Sequence, residues 1–147
     1  MSNSLRAPLI VGLVILLLAA VTVRAEEISG VTSEYVLSVS KDGQLKLDFS
    51  WPVRFGRQIS TVPLNALDVQ KAEVKPVDGG QMSGTWMVTI PTRGNIKAIN
   101  VEAWGKTADE VFPEKPDRTF QSAEIFFHCL SKADAQKVLS ALQKPEQ

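Results

Sequence analysis

Beyond residue 33 the chain alternates apolar and polar positions with a period of two. In 34–40, Tyr35, Leu37 and Val39 share one face, and in 44–51 Leu45, Leu47, Phe49 and Trp51 do the same. Successive side chains of a strand point to opposite sides, so each run reads as a half-buried strand. Asp42-Gly43 lies between them and suits the positive φ angles of a tight hairpin turn. Pro52 closes the second run. Residues 53–59 read as a further short strand or an edge, and 62–67 as a turn or a single helical turn. Residues 69–77 alternate again and end at Pro76, a residue tolerated at sheet edges. Thr85–Ile90 reads as a strand stopped by Pro91, Arg93-Gly94-Asn95 as a turn, Ile96–Trp104 as the next strand and Thr119–Leu130 as the last.

The period changes after residue 130. Ser131-Lys132-Ala133-Asp134 has the spacing of a capping box, and Ala135, Val138, Leu139 and Leu142 recur at helical intervals up to Pro145. The pattern therefore predicts a mainly β fold. It is an antiparallel β-sandwich or curled sheet of six to eight short strands, with one C-terminal amphipathic helix.

The first 25 residues follow a different rule. Arg6 precedes an uncharged stretch, residues 7–23, that is almost wholly aliphatic from Leu9 to Leu18. Val23-Arg24-Ala25 then places small residues three and one positions before Glu26. This order is that of a secretory signal peptide cleaved after Ala25. The alternative is a retained anchor, with residues 8–23 holding the protein to a membrane. That stretch sits at the lower edge of the ~20 apolar residues a span needs. Either way residues 26–147 are expected as a single β-rich extracytoplasmic domain, periplasmic or secreted.

Composition narrows the functional classes. The leader holds Arg6 and Arg24 and no acidic residue, so residues 26–147 keep 14 of the 16 basic residues against all 16 acidic ones, a formal charge of −2. Such a surface does not favour nucleic acid. One cysteine, Cys129, gives no disulfide framework and reads as a buried thiol. One histidine, His128, is its neighbour, and adjacent strand residues face opposite ways, which argues against a catalytic pair. Zinc requires more ligands than these two. A soft copper site would have to recruit Met82 or Met87 from elsewhere in the chain. No phosphate-binding glycine pattern occurs. The expectation is therefore a non-enzyme without a cofactor.

The longest irregular stretch, 105–118, holds two prolines and seven charged residues. Lys106, Lys115 and Arg118 interleave with Asp109, Glu110 and Glu114, as in a solvated mixed-charge loop. Trp51, Trp86 and Trp104 are expected in packing roles. Trp104 is the exception to watch, because it opens into this loop. Trp104, Asp109, Glu110, Phe112, Lys115 and Arg118 thus form the candidate partner surface. The leading functional expectation is an exported binding or assembly module with a protein partner in the cell envelope. The alternatives are a membrane-anchored accessory subunit and a β-sandwich that binds small ligands or carbohydrate. No segment of the chain resembles a named family.

Overall fold

The computed structural model describes residues 25–51, 56–105 and 112–143. The chain forms β1 (Glu26–Ile28), a strand the alternation did not predict, and then β2 (Tyr35–Val39), β3 (Gln44–Trp51), β4 (Gly56–Pro63), β5 (Glu73–Pro76), β6 (Trp86–Pro91), β7 (Ile99–Trp104), β8 (Arg118–Ser122) and β9 (Glu124–Cys129). The helical pattern becomes α1 (Lys132–Gln143). A six-stranded sheet runs β1-β2-β3-β4-β7-β8, a three-stranded sheet runs β5-β6-β9, and every pairing is antiparallel.

The Asp42-Gly43 turn joins β2 to β3 as the sequence predicts, with Gly43 at φ 82°. Tyr35, Leu37 and Val39 lie opposite Phe49, Leu47 and Leu45, so the two predicted apolar faces coincide. A second glycine is required by close approach. Gly56 has φ 80°, and a Cβ there would meet the Trp104 carbonyl oxygen at 2.1 Å.

Several boundaries differ from the sequence expectation, and the strand expected from Ile96 begins at Ile99. The strand expected at 53–59 begins at Gly56 and continues to Pro63, beyond the expected turn at Val62. The run expected as one strand over 69–77 starts as a 3-10 turn, Val69–Lys71, which carries Val69 into the core before β5 begins. The single strand expected over 119–130 is two strands. Ser122 Oγ donates to the Glu124 carbonyl at 2.9 Å and accepts the Glu124 N–H at 3.3 Å, while the Ala123 carbonyl accepts the Thr92 N–H at 2.8 Å. These bonds turn the chain out of the large sheet and into the small one.

The crossing sets how the layers pack. β9 leaves β8 at one edge of the large sheet. At its other end the His128 carbonyl accepts the Thr32 N–H at 2.9 Å, and His128 Nδ1 lies 2.9 Å from the Tyr35 hydroxyl on β2. From β2 to β8 there are four strand spacings, about 19 Å, and the extended chain from Glu124 to Cys129 covers about 17 Å. β9 therefore crosses obliquely under the large sheet, as a strand that switches sheets.

Leu37, Leu45, Leu47, Val62 and Ile99 of the large sheet, Val88, Ile90, Ile125 and Phe127 of the small sheet, and Ala135, Val138 and Leu142 of α1 form one buried cluster. α1 contacts β5, β6, β9 and the 69–71 turn. Its start follows the expected cap: the Asp134 N–H donates to Ser131 Oγ at 3.1 Å, and Ser131 Oγ donates to Asp134 Oδ2 at 3.0 Å. The segment expected to direct export lies outside the described residues apart from Ala25. Among the described residues no helix is long and apolar enough to cross a membrane.

The cap gives a direct check on α1. Ser131→Ala should destabilise the domain by about 1 kcal/mol, seen as a lower urea midpoint with an unchanged denaturant slope.

Candidate functional site

Two adjacent rows of side chains cross the inner face of the large sheet. One reads Leu37, Leu47, Ser60, Val101, Phe120, and the next reads Tyr35, Phe49, Gln58, Ala103, Arg118. Because β9 runs obliquely from Ser122 towards Tyr35, it leaves part of these rows uncovered. A cleft of about 410 Å³ lies there, with Phe49, Gln58, Ser60 and Val101 on its floor and Ile125, Phe126 and His128 of β9 along its side. That volume falls within the roughly 300–1,000 Å³ of small-molecule sites.

The mouth of the cleft opens past two exposed aromatic rings, Phe120 at 41% and Phe126 at 48% exposure. The closed end is the Tyr35–His128 pair, with the Tyr35 ring 4.8 Å from that of Phe49. Burial raises the Tyr35 phenol well above its ordinary value, with Glu34 adding to the effect. Burial also lowers the His128 imidazole, partly offset by Glu34. Both side chains are thus neutral at pH 7. Among the described residues no lysine or arginine lines the cleft, and Glu124 contributes a carboxylate.

Ser60 stands out on the floor. It occupies an apolar row between Leu47 and Val101 and is 5% exposed. Its hydroxyl has no hydrogen-bond partner among the described residues, and neither does the Gln58 side chain beside it. Among the described residues the buried side-chain polar atom without a partner is Thr32 Oγ1, so the Ser60 hydroxyl is open to water in the cleft, and a ligand that displaces that water must replace its bond.

The surface expected from the sequence is arranged differently. Trp104 lies on the opposite face of the large sheet and is 5% exposed. Its Nε1–H donates to the Pro113 carbonyl at 2.7 Å, and the Arg57 guanidinium sits 5.6 Å from its ring centroid. Arg57 is held in turn by a two-point ion pair to Asp48, at 3.0 and 2.6 Å. The indole therefore straps the chain after the loop to the sheet instead of presenting a stacking platform. Asp109 and Glu110 lie outside the described residues. Phe112 is half-buried, and Lys115 and Arg118 are exposed. Arg118 stands 5.3 Å from the Phe120 ring centroid, which brings this one member of the expected surface to the rim of the cleft.

His128 and Cys129 face opposite sides of β9, as alternation requires: one meets Tyr35, the other is fully buried in the core. Burial, helped by Asp134, pushes the Cys129 thiol up to about 11 and keeps it protonated at neutral pH. Among the described residues no three His, Cys, Asp or Glu side chains gather as metal ligands. No protein-family model, no curated protein and no solved structure matches this chain.

The lowered His128 value has a testable sign. The unfolded chain protonates this histidine near 6.5, whereas the folded domain resists it. Its contribution to stability is full above pH 6.5 and is lost as pH falls from there through the lower folded-state value. Between pH 7.5 and 5.0 the urea midpoint of His128→Gln should fall less than that of the parent protein.

Proposed function

We propose that this domain is an exported binding module whose ligand is a small, largely apolar molecule held between the two sheets. The observation that carries the reading is the cleft itself: an apolar space of ligand size, entered past exposed Phe120 and Phe126, with the unpaired Ser60 hydroxyl on its floor. Exposed aromatic rings at a pocket mouth keep apolar surface in water at a cost that a bound apolar molecule relieves. The fold supports a binding role in the same way. Rigid strands set the floor, and the walls need no rearrangement to admit a ligand.

The test uses Nile red, a neutral fluorescent probe of apolar sites. The domain should bind it saturably at one site, with a blue-shifted emission. Phe120→Ala combined with Phe126→Ala should weaken binding at least fivefold. Ile96→Ala, which removes a still more exposed apolar side chain away from the cleft, should leave it unchanged. Equal loss in both variants would show general surface stickiness and would overturn the reading.

A second reading keeps the protein partner in the envelope, and one observation favours it. The outer edge of β9 carries the backbone groups of Glu124, Phe126 and His128. Ser122 occupies those of Glu124 and Thr32 bonds His128, which leaves Phe126 as an edge position for strand addition. Crosslinking in the native envelope followed by mass spectrometry should then recover a stoichiometric partner joined near Phe126. Crosslinks that avoid β8 and β9 would remove this reading.

A further inference from the structure

We infer that the ligand of this cleft is an uncharged apolar molecule carrying a carbonyl group, such as an ester, amide or ketone, and that Ser60 and Gln58 are the residues that read that carbonyl. The inference rests on the cleft being a ligand site and goes further by fixing the chemical class.

The argument starts from what lies on the floor. Ser60 and Gln58 are neighbours on β4, two residues apart and therefore on one face of the sheet. Leu47 and Phe49 flank them on β3, and Val101 and Ala103 on β7. A hydroxyl and a carboxamide each offer a neutral N–H or O–H donor. Neither is used within the described residues, and both line the open cleft, where water meets them until a ligand displaces it. A purely hydrocarbon ligand would bury both groups without partners, which opposes binding. An acceptor at this height satisfies them.

Charge then selects among acceptors. A carboxylate placed on the floor would lie among Leu47, Phe49 and Val101, and among the described residues no lysine or arginine lines the cleft to meet it. The imidazole of His128 is held neutral by burial and is engaged with Tyr35. Burying an anion without a partner is far more costly than burying a neutral carbonyl. Arg118 stands at the rim over Phe120, where it could hold an anionic head only outside the floor, and Glu124 flanks the same mouth with the opposite sign. The floor donors and the uncharged interior together favour the neutral carbonyl.

The experiment compares three probes of matched chain length by displacement of Nile red: dodecane, methyl laurate and sodium laurate. Methyl laurate should bind most tightly, with laurate at least tenfold weaker. Ser60→Ala should weaken methyl laurate about five- to tenfold, the effect of one hydrogen bond, and should leave dodecane unchanged or slightly tighter. The same substitution should leave the melting temperature of the ligand-free protein nearly unchanged, because this hydroxyl holds no bond within the described residues and meets water in the open cleft. That readout separates a recognition role from a structural one.

Laurate binding as tightly as the ester, with a loss on Arg118→Ala, would replace the neutral ligand by an anionic amphiphile and overturn the inference while leaving the cleft as a site. Unchanged ester affinity in Ser60→Ala would also overturn it. If none of the three probes displaces Nile red, or the probe itself does not bind, the reading of the cleft as a ligand site falls and takes this inference with it.

Discussion

The crossing of one strand from sheet to sheet governs the arrangement of this domain. At Ala123 the chain stops extending the large sheet and turns beneath it, fixed by the Ser122 hydroxyl on the Glu124 backbone and by the Thr92–Ala123 bond. Everything after that point follows from where β9 lands. Its far end is tied to Thr32 and Tyr35, so its course is pinned at both ends and lies across the strands above it. An aligned sandwich would cover the inner face of the large sheet evenly. An oblique strand covers it along a diagonal, so apolar positions on one side of the diagonal are sealed and those on the other side are not. Leu37 and Leu47 are buried, whereas Phe120 in the same row is largely exposed.

The cleft is thus a consequence of topology and not of missing packing atoms at random. Its chemistry comes from β4, where the inward positions read Gly56, Gln58, Ser60 and Val62. Only Val62 among them is a large apolar residue. The three others thin the floor and make part of it polar at the place where the cover is absent. The opposite face of the sheet is organised for stiffness: Arg57 bridges Asp48 and the Trp104 ring, and Trp104 in turn holds Pro113. Strapping the chain at 113 fixes where β8 begins, and with it the Arg118 and Phe120 rim.

Much of the fold was legible because local pattern and tertiary role agree. The Asp42-Gly43 hairpin, the alternation of β2, β3 and β6, and the Ser131 cap with its helical stripe are each set by short-range rules that the folded chain obeys. The crossing was written in the sequence in a subtler form. Phe120 and Ser122 face inward at even positions, and Ile125, Phe127 and Cys129 at odd ones, so the phase slips by one residue at Ala123. Read as one strand, 119–130 hides that slip. The cleft was illegible for a related reason. Ser60 and Gln58 look like ordinary exposed polar positions until the register with Leu47 and Phe49 shows that they face inward, and register across strands far apart in sequence is not a local property. Trp104 misled in the opposite direction. Its place beside a long charged loop suggested exposure, but the loop's own return covers it.

Chemical-shift mapping of the isotopically labelled domain, titrated with methyl laurate, tests the central claim most directly. The account predicts shifts that cluster on Gln58, Ser60, Val101, Phe120, Phe126 and His128, with α1 from Gln136 to Ser140 unaffected. Shifts confined to residues 112–118, or spread evenly over the exposed apolar side chains Ile96 and Leu130 as well as the cleft, would contradict it.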